Sequence, residues 1–294
     1  MHTLPRPSEL LNIRTGWDRE DYFADEALSF HSLWYFGRDP KLFSQGFFDV
    51  QETTDAMRMG TQLHTLVLEG EEKFNKENVL WSPPINDKTG KPFGMTTKQY
   101  TEAYERFTAE NKRLTPYTEE ENINYLAMQA AILRHPIASA YLYPETGPDT
   151  HVSELTFRGE YLPGWLAKGS IDRYDSTYGI IDFKTCAEME RFDGYRTFER
   201  GCLYNGYLEQ LAFYQVMFYE LLDPRPRGAR WYVPVTLIAA EKKPPFRVAV
   251  LQPDEETQSG ARERIGDLLE QYMEAVESGN YESRYDEIIT LHRS

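Results

Sequence analysis

The chain has 294 residues, 40% of them apolar and 14% aromatic, which is ample for a substantial buried core in one large domain or two small ones. Its formal charge of −15 excludes a surface that coats nucleic acid, because non-specific duplex affinity comes mainly from lysine and arginine replacing counterions; any such contact must be local. Cys186 and Cys202 are the only cysteines, too few for a disulfide framework or a four-thiolate cluster, and no apolar run approaches the roughly 20 residues of a membrane span.

The opening Met1-His2-Thr3-Leu4-Pro5-Arg6-Pro7 carries no apolar signal segment, so a cytoplasmic location away from membranes is the expectation. Residues 1–150 read mostly helical with one long loop. Thr54 suits the N-cap of a helix running to Leu68, with Met59, Leu63, Leu66 and Val67 on its apolar side. Trp81-Ser82-Pro83-Pro84 through Gly90-Lys91-Pro92 breaks regular structure, and helical segments follow near Lys98–Lys112 and Thr118–Arg134. From residue 151 the character changes. Strand-like runs at Ser153–Arg158, Trp165–Tyr174 and Gly179–Thr185 precede a helical pattern over Leu203–Leu222 that ends before Asp223-Pro224. Two more strand candidates, Arg230–Ala239 and Phe246–Leu251, lead to a last helix near Asp254–Ser278. Its stripe is Ile265, Leu268, Leu269, Tyr272, Met273 and Val276. This order predicts an α/β fold in one domain over 1–294, with a helical part (1–150) and a small mixed sheet flanked by helices (151–294). Basic islands occur at Arg191, Arg196 and Arg200, at Arg225, Arg227 and Arg230, and at Lys242-Lys243, each equally readable as a solvated cluster.

The chemistry concentrates in two strand-like runs, Gly164–Tyr174 and Gly179–Thr185, joined by the turn sequence Asp175-Ser176-Thr177-Tyr178. A hairpin centred on Thr177 sets Asp172 opposite Asp182, their Cβ atoms roughly 4.5–5.5 Å apart. Two facing carboxylates repel, and a divalent cation between them converts that repulsion into binding. Lys184 projects from the face of Asp182, while Ile181 and Phe183 point to a core. Such a set suits a metal-dependent phosphodiesterase; the plain alternative is a polar strand face whose charges are solvated, and a one-residue slip would scatter the groups.

His64 lies one turn after Gly60, which could let the helix approach the sheet closely. It is either a hydrogen-bonded core residue or, if its helix packs over the hairpin, the imidazole that completes an Asp/Asp/His set for Mg2+ or Mn2+. Gln210 and Tyr214 share a helix face, where an amide and a phenol can bind phosphate or position a water. Tyr207, Leu211, Tyr214, Phe218 and Leu221 equally form a core stripe. Glu154 reads as a third acid from a neighbouring strand or as an exposed strand residue. Glu69 lies about 140° around the helix from His64 and fits a helix end. The chain has no G-x-x-x-x-G-K-[ST], no G-x-G-x-x-G after a strand, no H-E-x-x-H and no G-x-S-x-G, and Cys186 has no local histidine partner.

Met57-Arg58-Met59-Gly60-Thr61-Gln62-Leu63-His64-Thr65-Leu66-Val67-Leu68-Glu69, Gly169-Ser170-Ile171-Asp172-Arg173, Ile181-Asp182-Phe183-Lys184-Thr185 and Gln210-Leu211-Ala212-Phe213-Tyr214, in that order, resemble the RecE (exonuclease VIII) branch of the PD-(D/E)XK nucleases, which includes phage and prophage recombination exonucleases. The resemblance covers roughly Asp55–Leu80 and Glu154–Leu222, with a fainter echo in Leu28–Phe43. It implies a PD-(D/E)XK fold and a Mg2+-dependent exonuclease that degrades linear duplex DNA from its ends, 5′ to 3′, in a bacterial or phage-infected cell. It also implies a single-strand annealing protein as partner and a homo-oligomeric ring. By the same resemblance His64, Asp172, Asp182 and the backbone carbonyl of Phe183 are metal ligands, Lys184 is the catalytic lysine, and Gln210 and Tyr214 form the Q-x-x-x-Y helix. An endonuclease or nuclease subunit of a defence or repair complex is the alternative within that class, and an inert DNA-end-binding protein the alternative outside it.

Overall fold

The computed structural model describes residues 3–15, 17, 19–47, 54–144, 147, 149–190, 201–202 and 205–286. Its centre is a mixed five-stranded sheet in the order β5-β6-β7-β8-β9, comprising β5 (His151–Leu162), β6 (Trp165–Asp175), β7 (Gly179–Cys186), β8 (Val235–Glu241) and β9 (Val248–Leu251). The β6–β7 hairpin has the expected centre, with Asp175 opposite Gly179, Tyr174 opposite Ile180 and Arg173 opposite Ile181. Asp175 builds the turn: its Oδ1 accepts the backbone N–H groups of Thr177 at 2.7 Å and Tyr178 at 3.2 Å. Gly179 then takes φ +85°, and a Cβ there would collide with the Pro234 carbonyl oxygen. β8 pairs parallel to β7, which demands a crossover, and α9 (Tyr207–Met217) lies within it.

Helices cover both faces. Ile181, Phe183, Ile238 and Ala240 pack against Leu63 and Leu66 of the segment bearing α4 (Asp55–His64), and against Tyr125, Met128 and Ile132 of α7 (Glu119–Arg134). Ile180, Leu237 and Ala239 pack on the other side with Leu211, Phe213 and Met217 of α9, Ile265 and Leu269 of α10 (Glu255–Ser278), and Phe30 and Leu33 of α2 (Phe30–Arg38). The expected α9 stripe was too narrow, since every residue from Glu209 to Gln215 is buried. In α10 the stripe turns away at its end, where Ala275 is buried and Val276 is exposed.

The N-terminal half is less purely helical than expected. β1 (Asn78–Trp81) pairs parallel with β4 (Thr115–Thr118), and β2 (Ile85–Asn86) pairs with β3 (Lys91–Pro92) inside the supposed loop. Buried polar contacts tie that ladder to α4: Gln62 Nε2 donates to Asn78 Oδ1 at 2.9 Å, and the Tyr125 hydroxyl donates to Gln62 Oε1 at 2.7 Å. α6 (Lys98–Glu110) and α7 arise as read, α7 through a Thr118/Glu121 capping box. Thr54 caps α4 by accepting the Met57 N–H at 3.2 Å, and a π-turn over Thr65–Glu69 continues the helix directly after His64. Gly60 is not demanded by close approach, because a Cβ there would meet Thr185 Oγ1 at an ordinary 3.6 Å.

β6 parts from β7 beyond Arg173. Along the edge it vacates, Leu28 takes the place of a strand: its N–H donates to Leu166 O at 2.9 Å and its carbonyl accepts the Lys168 N–H at 2.9 Å. An earlier segment borders the outer edge of β5, where the Arg14 N–H donates to Thr156 O at 2.9 Å. Among the described residues no helix is long and apolar enough to cross a membrane.

Candidate metal centre

The fork between β6 and β7 gathers the titratable groups. Where Asp172 and Asp182 would form the next ladder pair, the Asp172 side chain turns inward and its Oδ2 accepts the Phe183 N–H at 2.7 Å. The π-turn end of α4 brings His64 over this point, with Nδ1 at 3.7 Å from Asp172 Oδ2 and its ring centroid 5.1 Å from that of Phe183. Glu154 joins from β5: His64, Glu154 and Asp172 each offer a ligand atom within 4.8 Å of the others. Its φ of +48° is unusual for a residue with a side chain, and it sits where β5 faces Asp172. Asp182 lies beside this trio rather than in it, its Oδ2 2.7 Å from Lys184 Nζ. The Lys184 ammonium in turn lies 5.2 Å from the centroid of the Tyr207 ring. Gln210 Nε2 donates to the Tyr214 hydroxyl at 3.2 Å.

These groups lie deep but keep a window to water, with side-chain exposures of 23% for His64, 15% for Asp172, 18% for Lys184 and 2% for Asp182. Burial pushes the Asp182 carboxyl up to about 6 against the pull of Lys184, with Asp172 adding to the rise. Burial likewise raises Asp172. His64 is driven down to about 4 by burial and by Lys184, so its imidazole is neutral and free to ligate near pH 7. Burial alone would lower Lys184, but Asp182 and Asp172 outweigh it and hold the ammonium charged. Burial also keeps the Tyr214 phenol protonated.

The donor set fits a divalent cation. Imidazole nitrogen and carboxylate oxygen are both ligands of divalent metal ions, and both Asp182 oxygens are buried without an aligned hydrogen bond, the Lys184 contact being an ion pair of poor hydrogen-bond geometry. The structure therefore brings together His64, Asp172, Asp182, Lys184 and the backbone of Phe183, and sets Gln210 and Tyr214 on the adjoining helix.

Glu154 was readable either way from sequence. The turn at Pro163-Gly164 was only part of a signal: a plain hairpin about it sets Glu154 opposite Arg173, and the bulge at Tyr161 is what brings Glu154 level with Asp172. His31 was missed. It stands in the first turn of α2, and its pKa is lowered, first by desolvation and then by Lys184, against the pull of Asp182. Its only local signal was the Ser29 cap. Of the basic islands, Arg191, Arg196 and Arg200 lie outside the described residues. Arg225 is bound to Asp223, Arg227 to Glu220, and Arg230 to the carbonyls of Arg225 and Tyr219, so that island serves the fold. Lys242 donates to Ala56 O at 3.3 Å. Both cysteines are buried thiols, and burial pushes Cys186 up to about 12.

A helix-flanked mixed sheet whose forked hairpin carries Asp172 and then Asp182-Phe183-Lys184 has the architecture of a PD-(D/E)XK-type α/β domain. The chain belongs to the family described as PDDEXK-like domain of unknown function (DUF3799), whose model matches residues 44–293. It is also similar in fold to a solved protein of Eubacterium rectale, provisionally described as an exonuclease. That likeness has a TM-score of 0.58 at 15% identity and covers 96% of this chain and 97% of that one. No curated protein matches the chain.

Proposed function

We propose that this chain is a Mg2+-dependent deoxyribonuclease that degrades linear duplex DNA from its ends. The observation that carries the reading is the convergence of His64, Glu154 and Asp172 within 4.8 Å, beside the Asp182–Lys184 pair, in a PD-(D/E)XK-like fold. His64, Asp172 and Asp182 would hold the cation, with Glu154 and the Phe183 carbonyl as further ligands. When bound, a divalent cation supplies neutralisation of the scissile phosphate and a more acidic water. The other work falls to the chain. Lys184 stabilises charge developing on the phosphoryl oxygens or orients the attacking water. Tyr214, protonated and bonded to Gln210, offers a hydrogen bond to phosphate or water. The sequence resemblance and the exonuclease description of the E. rectale protein favour an exonuclease over an endonuclease. On that resemblance the enzyme works 5′ to 3′ in the cytoplasm, in recombination, with an annealing protein as partner and as a ring of identical subunits.

The test is digestion of end-labelled linear duplex beside closed circular DNA, in Mg2+, in Mn2+ and in EDTA. Loss of linear duplex with metal, none in EDTA, and an intact circle are the expected result. A cut circle would make the protein an endonuclease, and DNA binding without turnover in either metal would make it an inert end-binding protein.

A further inference from the structure

Beside β5 a cleft of about 380 Å3 is lined by Arg14, Thr15, Trp17, Asp25 and Arg158. Its β5 residue, Arg158, is on the sheet face of Glu154. Arg158 pairs with Lys168 and Thr156 with Ser170, and Ser170 Oγ lies 3.3 Å from Glu154 Oε2, so cations, hydroxyls and acids succeed one another along the same side of the two strands. Arg158 is four residue steps along β5 from Glu154, roughly 13 Å.

The described lining residues carry a net charge of +1, from Arg14 and Arg158 against Asp25, in a chain of charge −15. Arg158 Nε donates to Asp25 Oδ2 at 2.8 Å, which neutralises the one acid among the described lining residues. Arg14 is exposed and its guanidinium makes no ion pair among the described residues. Trp17 is half-buried and braced by Tyr22, ring centroids 5.4 Å apart and planes at 73°. A fork of arginines beside an indole matches a phosphodiester next to an unpaired base: guanidinium binds phosphate oxygens, and an aromatic face stacks any base that is not paired.

We propose that this cleft holds a single nucleic-acid strand a few nucleotides from the bond cut at the metal centre, Arg14 and Arg158 taking a backbone phosphate and Trp17 stacking the adjoining base. The proposal rests on the nuclease reading. It names the substrate at this subsite as unpaired strand rather than duplex.

Fluorescence anisotropy in Ca2+ with the full chain, Arg14→Ala, Arg14→Lys and Trp17→Ala tests it, using labelled single strands of graded length and a blunt duplex. For a strand of about eight nucleotides, Arg14→Ala and Trp17→Ala weaken binding about tenfold, and Arg14→Lys recovers part of the loss. Arg14→Ala alone also flattens the salt dependence, by about one phosphate contact. For a dinucleotide, too short to reach, the ratio of variant to unaltered affinity stays near one. Equal affinities at every length, or a loss confined to the blunt duplex, would overturn the proposal. Cleavage in Mg2+ by the unaltered chain, assayed alongside, reads the nuclease reading separately: no cleavage with length-dependent binding intact would fail that reading and leave the strand site standing.

Discussion

Asp172 accepts the backbone N–H of Phe183 at 2.7 Å, and this side-chain bond replaces the ladder bond at the point where β6 leaves β7. One carboxylate thus both ends the strand pairing and faces His64 and Glu154. The two roles separate by charge. Asp172→Asn retains an oxygen for the Phe183 N–H but loses the negative charge a cation needs. Its melting temperature is expected within a few degrees of wild type, with cleavage down on the order of 10²–10³-fold. An inactive variant that also melts far lower would mean that the carboxylate serves the fold first.

Glu154 is expected to set cation affinity. Glu154→Gln should raise the Mg2+ or Mn2+ concentration for half-maximal cleavage about 10–100-fold while leaving the saturated rate closer to wild type. A metal titration curve that does not move would remove Glu154 from the ligand set.

Two groups at the site tilt the pH dependence of stability in opposite directions. Asp182 rises from its ordinary 3.8 to about 6, so the folded state keeps its proton longer than the unfolded chain, and its contribution falls as pH climbs from about 4 to about 6. His64 falls from 6.5 to about 4, so the unfolded chain takes up the proton first, and its contribution is lost as pH drops from about 6.5 to about 4. Each effect is at most roughly 3 kcal/mol, and in the wild type they largely offset each other. Urea denaturation in EDTA should show wild type losing stability relative to Asp182→Asn as pH rises through this window, and gaining relative to His64→Asn. Slopes of the same sign for both variants would contradict this.

Gly179 and Gly60 should behave oppositely. Gly179→Ala meets a left-handed φ of +85° and the Pro234 carbonyl, and should cost several kcal/mol of stability. Gly60→Ala meets only Thr185 Oγ1 at 3.6 Å inside a helix, and should be neutral or stabilising by up to about 1 kcal/mol. Thermal melts of the two variants decide, and a destabilised Gly60→Ala would restore the idea that this glycine is needed for close packing.

What could be read from the sequence was local. Thr54 and the Thr118/Glu121 pair announced their helices because a cap acts within one turn, and the turn at Asp175 announced both the hairpin and the neighbourhood of Asp172 and Asp182. What escaped was set by distant parts of the chain. Thr115–Thr118 is a strand only because Asn78–Trp81 lies alongside, and Leu28 lines β6 only because β7 has turned away. The burial of α9 on nearly all sides follows from its place between α10 and the sheet, which no periodicity of its own residues reveals. At the site the pattern is the same. His64 and the acids of the hairpin carried a recognisable pattern, whereas the place of Glu154 depends on a backbone inversion at φ +48° and that of His31 on the docking of α2.

The Leu28 contact has a practical corollary for handling the protein. Family boundaries begin at residue 44, so a piece cut there would lose the segment that shields β6 beyond the fork. Bare N–H and C=O groups along that strand would then recruit other chains edge to edge, and such a fragment should precipitate or self-associate even with every metal ligand intact.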